Sequence, residues 1–278
     1  MQSIAVTGAP YGVAIAADGA LWFTMATTGA IGRHHGGTTD TFALEPGDGQ
    51  PTVIVGGPDA AMWFTEFRGN RIGRITADGT RTSIAADAPY GLCVGPDGAL
   101  WFTELQSGHI GRLDADGEIT RFPVEGMPSM IVAGPDGALW FTLNLGNAIG
   151  RIATTGEITA YPLPTESANP VGITVGPDNA LWFVEIGAGR IGRITTDGNI
   201  DEFALPDRNA RPHAIITGPD GALWFTEWGA DRLGRITTAG EITGLALPGA
   251  EPHGLIAGAD GIITVAMESG LLVRVPVG

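Results

Sequence analysis

Short apolar runs return at nearly even intervals along the chain, each bounded by Gly, Asp and Pro. A phrase close to GPDGALWFTE recurs with its tryptophan at Trp22, Trp63, Trp101, Trp140, Trp182 and Trp224, at intervals of 41, 38, 39, 42 and 42 residues. Ten residues after each tryptophan stands the glycine of an I/L-G-R triplet: Gly32, Gly73, Gly111, Gly150, Gly192 and Gly234. Twelve residues before each stands a proline: Pro10, Pro51, Pro89, Pro128, Pro170 and Pro212. Pro252 opens a seventh copy, with Thr264 at the tryptophan position. The run LWFT does not alternate with polar residues, which predicts strands covered on both faces. Each copy also carries three turn signals, in the third copy Asp97-Gly98, Gln106-Ser107-Gly108 and Asp116-Gly117, and three turns separate four strands. Seven copies of four short antiparallel strands predict an all-β chain, a seven-bladed β-propeller forming a single domain over residues 1–278. The seventh copy stops one strand short, after LLVRVPVG, while Ser3 to Thr7 precede Pro10 much as Thr243 to Leu247 precede Pro252. The N-terminal strand is therefore expected to complete the last blade and close the ring.

Composition agrees. With 44 Gly, 19 Pro and 16% charged residues, the chain reads as strands and tight turns. Thirty acidic against 15 basic side chains give a formal charge of −15, which repels nucleic acid and anionic membranes. No stretch approaches the roughly 18 apolar residues of a membrane span, and MQSIAVTGAP lacks the basic start and apolar run of a signal peptide, so a soluble, unsecreted monomer is expected. Cys93 stands alone, which excludes an internal disulfide or a cysteine metal cluster and fits a reducing cytoplasm.

In a propeller the first strand of each blade lines the central channel, so one repeat position forms one ring of side chains. The residues after the repeat prolines are Tyr11, Thr52, Tyr90, Ser129, Val171, His213 and His253, which makes the two histidines neighbours. The second strand returns to the same mouth, where the copies carry Met25, Glu66, Glu104, Leu143, Glu185 and Glu227, then Met267 followed by Glu268. The seventh copy is irregular: its acid comes one place later, at Glu268, and Glu251 stands before its proline. Two readings explain this. One is drift in a terminal repeat. The other is a metal site, in which two carboxylates beside imidazoles suit a hard divalent ion and favour Mg²⁺ over Zn²⁺.

His34, His35 and His109 fall on or beside third strands, away from the mouth. Glu66, Glu104, Glu185 and Glu227 share one repeat position, which points to capping backbone or pairing with the repeat arginines. Arg33, Arg74, Arg112, Arg151, Arg193 and Arg235 read as parts of the blades, whereas Arg211 lies beside His213. No phosphate-binding glycine pattern opens a helix, and no G-x-S-x-G elbow is present.

Over essentially its whole length the sequence resembles the virginiamycin B lyase (streptogramin B lyase) family. The phrases that carry the resemblance are NARPHAI around His213, LWFTEWGA around Trp224, AEPHGL around His253 and VAMES around Glu268. It departs from the family at Thr264, where a tryptophan is usual. The resemblance implies elimination, not hydrolysis, at a threonyl ester of cyclic depsipeptide antibiotics, with a magnesium ion. It implies His253 as the general base, His213 and Tyr11 as substrate contacts, and Glu251 and Glu268 as Mg²⁺ ligands. A mouth ringed by Tyr11, Tyr90 and Trp228 suits a bulky apolar macrocycle. A histidine at its ordinary pKa of about 6.5 is largely neutral at pH 7 and accepts a proton; nearby carboxylates would raise that pKa and a cation would lower it. The alternatives at this point are a metal-dependent lactonase acting by hydrolysis and a non-catalytic ligand-binding propeller.

Overall fold

The computed structural model describes residues 1–45 and 47–277. Seven four-stranded antiparallel sheets form the blades: residues 10–43, 51–85, 89–123, 128–162, 170–204 and 212–246 make blades one to six. Blade seven takes three strands from residues 252–276 and its fourth from Gln2–Ala5, which pairs with Leu271–Pro276. The N-terminal strand thus closes the ring as expected, slightly earlier in sequence than Ser3 to Thr7. Among the described residues there is no α-helix, only a 3-10 turn at Trp228–Ala230. No helix is long and apolar enough to cross a membrane.

The repeat motifs have distinct steric duties. Tryptophan and phalanx-forming phenylalanine are consecutive on the second strand, so they face opposite sides of the blade. The tryptophan of one blade and the phenylalanine of the next meet in one cluster: Trp22 with Phe64, Trp101 with Phe141, Trp140 with Phe183 and Trp182 with Phe225. The I/L-G-R glycine lies across from the phenylalanine, and a Cβ at Gly32, Gly111 or Gly192 would run into the ring of Phe23, Phe102 or Phe183. Blade seven replaces the opposed Phe and Gly with Val265 and Val273, both fully buried, and places buried Thr264 across from Arg274. A valine pair fills the volume that a phenylalanine over a glycine fills elsewhere, so the blade stays packed without its tryptophan.

The repeat arginines bind turn aspartates, not the repeat glutamates. Arg112 Nε donates to Oδ2 of Asp97 at 2.7 Å, while Oδ1 of Asp97 accepts from Trp101 Nε1 at 2.9 Å and from Ala99 N at 3.3 Å. Equivalent arginine–aspartate pairs occur in all seven blades, the last being Arg274 with Asp260. Asp97→Ala removes all three bonds and leaves an indole N–H of a buried ring unpaired, a loss of about 1–3 kcal/mol. Thermal melting checks this, with a drop of about 2–4 °C per kcal/mol expected for a chain of this size.

Candidate active site

Each inner strand begins at its proline, where the missing N–H costs nothing. The preceding residue is left-handed in six blades, with φ between 43° and 64° at Gln50, Ala88, Met127, Asn169, Arg211 and Glu251. A register shift follows each proline, for example between Pro212 and Ile215 and between Pro252 and Leu255. Such a bulge re-aims a side chain, and here it delivers the residue after the proline to the channel mouth. A further backbone bond fixes the rim: the residue just past the second strand donates its N–H to the residue before the proline. Trp228 N reaches Arg211 O and Glu268 N reaches Glu251 O, both at 3.1 Å. Glu268 is therefore the counterpart of Trp228, and buried Met267 is the counterpart of Glu227.

These features gather the expected site residues. The His213 and His253 rings lie 4.8 Å apart in a T-shaped arrangement, and Tyr11 stacks on His253 at 4.3 Å. The Tyr11 hydroxyl is 3.2 Å from Nε2 of His213 and shares a 2.9 Å hydrogen bond with the Tyr90 hydroxyl. Burial, then Tyr90, raises the Tyr11 pKa well above the usual phenol value, so the hydroxyl stays protonated. Nε2 of His253 lies 3.2 Å from Oε1 of Glu268 but off the line of a hydrogen bond, and both of its ring nitrogens lack partners. Burial pushes His213 down to about 4; burial and then His213 push His253 down to about 3. Desolvation takes both below the ordinary histidine value, and both rings are neutral at pH 7, as the sequence reading expected of the base. Burial first, and Glu251 second, raises the Glu268 carboxyl.

Two further groups carry roles that the sequence left open. Tyr90 anchors Tyr11. The Arg211 guanidinium lies 5.2 Å over the Trp228 indole, whose Nε1 is buried without an acceptor, 6.1 Å by ring centroids from His253. Below the mouth, a largely apolar channel of about 410 Å³ runs between the inner strands, with Tyr11, Tyr90 and His213 at its lip. His34, His35 and His109 lie on third strands, as expected.

The repeat glutamates pair with arginines outside the triplet: Glu66 with Arg71 at 2.7 Å, Glu104 with Arg121 at 2.8 Å and Glu227 with Arg232 at 3.3 Å. Glu185 differs. Arg190, opposite it in the ladder, leans toward Glu202 at 3.9 Å, and both Glu185 oxygens are buried without a hydrogen bond.

A closed seven-bladed propeller with two neutral histidines, a tyrosine and a carboxylate pair at one channel mouth belongs to the β-propellers that gather titratable side chains on the ring's axis. The chain belongs to the virginiamycin B lyase family, which it matches over residues 1–275. It is 54% identical over 173 residues to the virginiamycin B lyase of Nocardia farcinica, a stretch covering 62% of this chain and 62% of that relative. The crystal structure of selenomethionine-substituted virginiamycin B lyase from Staphylococcus aureus superposes with a TM-score of 0.95 at 41% identity, covering 98% of this chain and 97% of that one. A catalytically inactive histidine-to-alanine variant of the S. aureus protein, solved with quinupristin, superposes with a TM-score of 0.93 at 40% identity, covering 98% and 97%.

Burial, then Glu202, pushes the Glu185 carboxyl up to about 8. A group whose pKa rises on folding binds its proton more tightly in the folded state. Its penalty is absent below the unfolded value of about 4.3 and grows as pH rises toward 8. Glu185→Gln is therefore expected to melt about 2–4 °C or more above the parent at pH 9, taking about 1 kcal/mol as the lower bound, and to match it at pH 4. Equal gaps at both pH values would show that the carboxyl does not titrate in this range.

Proposed function

We propose that the protein is a carbon–oxygen lyase that opens streptogramin B-type cyclic depsipeptides by elimination at the threonyl ester, with Mg²⁺ as cofactor. The observation that carries this reading is His253: buried, neutral, free at both ring nitrogens, and set beside a carboxylate pair in a member of this family. The quinupristin complex of the S. aureus histidine-to-alanine variant supports the substrate class and the need for a histidine.

Glu251 and Glu268 would hold the ion. Burial first, and the neighbouring Glu251 second, raises the Glu268 carboxyl, and a divalent cation would offset both the lost solvation and the like charge. Among the described residues no group of three or more His, Cys, Asp or Glu side chains forms a ready cage, so two carboxylates leave the other positions to water or substrate. That suits Mg²⁺, which keeps several waters. When bound, Mg²⁺ supplies positive charge to the oxygen on which negative charge develops.

His253 takes the threonyl α-proton. The freed electron pair forms the Cα–Cβ double bond, the Cβ–O bond breaks, and the leaving carboxylate departs with its electrons without consuming water. Tyr11 holds one face of the base by stacking and, with His213, contacts the substrate; the Tyr90 hydroxyl keeps Tyr11 in place. His213 is neutral and hydrogen-bonded to Tyr11 through Nε2, and its Nδ1 is buried without a partner.

His253→Ala is expected to lower turnover of a streptogramin B by about 10²- to 10⁴-fold, the usual contribution of a general base, and, because the ring is buried against Tyr11, to lower the melting temperature by roughly a few degrees while the protein still folds. Mass spectrometry of the wild-type product should show a linear species of the substrate's own mass, and EDTA should stop turnover until Mg²⁺ is restored. A product heavier by one water would point to a lactonase instead, and an antibiotic left intact by the wild-type protein with Mg²⁺, with no change in His253→Ala, would favour a binding propeller.

A further inference from the structure

Because neither ring nitrogen of His253 is hydrogen-bonded, its imidazole is aimed by its backbone and by ring packing alone, against Tyr11, His213 and Trp228. The backbone is held by a hydroxyl from the next blade. Thr226, fully buried on the second strand of blade six, accepts from the N–H of Ala214 at 3.0 Å and donates to the carbonyl of His253 at 2.9 Å. One hydroxyl thus bridges the strand that carries His213 and the strand that carries His253.

The same bridge recurs at seams that hold neither histidine. Thr142 accepts from Met130 N at 3.1 Å and donates to Val171 O at 2.7 Å; Thr103 joins Gly91 N and Ser129 O in the same way. Two seams depart from it. Val184 and Ala266 stand at the equivalent positions, so they offer no hydroxyl to the carbonyls of His213 and Tyr11. Within the cluster of Tyr11, His213 and His253, only His253 has its carbonyl tied by a threonine. The two side chains that lack the tie are the ones joined to each other through the Tyr11 hydroxyl.

We infer that Thr226 is a positioning residue for His253: its hydroxyl fixes the bulged backbone from which the imidazole projects, and through Ala214 it sets the spacing of the two histidines. The inference rests on the proposed role of His253 as base. A base displaced by about 1 Å loses on the order of 10²-fold in rate, and a backbone carbonyl freed from its donor permits a shift of that size.

Thr226→Val removes the hydroxyl at nearly constant volume, and Val184 and Ala266 show that the fold accepts apolar residues at this position. Thr142→Val is the matched control, since it breaks the same two bonds away from the site. Both variants are expected to lower the melting temperature by similar amounts. With a streptogramin B substrate, Thr226→Val should lose about 10-fold or more in kcat with KM changed by less than about twofold, while Thr142→Val keeps the parent kcat and Thr226→Ser restores most of the loss. The ring proton resonance of His253, assigned by its loss in His253→Gln, should shift or broaden in Thr226→Val alone. Equal kcat in the two valine variants, or an unmoved His253 resonance, overturns the inference. A wild-type protein that leaves the ring closed sinks the lyase reading instead, and the resonance then decides whether Thr226 positions the histidine, because it needs no substrate.

Discussion

Alternation along one strand governs the whole ring. Consecutive Trp and Phe on the second strand face opposite seams, so each core cluster is half tryptophan side from one blade and half phenylalanine side from the next. No blade completes a core alone, and the structure is stable only as a closed cycle. That places the largest demand on the seam between blades seven and one, where the chain ends meet. There Thr264 offers no indole, and the cluster is built from Phe23, Leu21, Met25, Ala266 and Leu272. The N-terminal strand then pairs with the last strand of the chain over Gln2–Ala5, which makes the blade continuous from channel to rim.

The mouth follows from the same cycle. A left-handed residue, a proline, a bulge and a returning backbone bond repeat around the ring and fix where the side chains emerge, whatever those side chains are. Blade six uses its rim positions for Arg211 and Trp228, blade seven for Glu251 and Glu268, and on both the histidine stands two residues further along, just past the proline. The histidines and the carboxylate pair thereby fall on the adjoining edges of blades six and seven, while blades one and three add Tyr11 and Tyr90. Strain at Glu251, whose φ is 58°, is of the order of 1–2 kcal/mol for a residue with a Cβ, and it recurs at five equivalent positions. It belongs to the scaffold and is not a cost peculiar to the carboxylate pair.

How much of this was legible depended on whether a feature obeys the repeat. The blades, the ring closure and the adjacency of His213 and His253 are consequences of period and are read directly from Pro, Trp and Gly spacing. The equivalence of Glu268 with Trp228 was obscured, because one residue past the strand end the position changes from a buried seam to the open rim. The chain of contacts from Tyr90 through Tyr11 to His213 joins blades three, one and six across the channel, and periodicity along the sequence carries no information about reach across an axis. The isolation of Glu185 turns on which carboxylate Arg190 leans toward, a rotamer choice with no sequence signature. The neutrality of His253 at pH 7 was legible, but how far its pKa falls was not: the sequence reveals the carboxylates nearby but not the burial that dominates.

That last point shapes the chemistry most. A histidine held neutral by burial is always ready to accept a proton, yet it is also a weak base, since the burial that keeps it neutral disfavours the imidazolium it must become. Removing a carbon-bound proton with such a group requires that the charge arriving on the substrate be stabilised at close range. The acidic side chains nearest the base, Glu251 and Glu268, have the wrong sign for that task when left alone. A divalent cation held by these two carboxylates, as proposed, would reverse the local field. The weakness of the base and the pairing of two carboxylates beside it are thus complementary demands: each is unfavourable by itself, and the proposed Mg²⁺ resolves both.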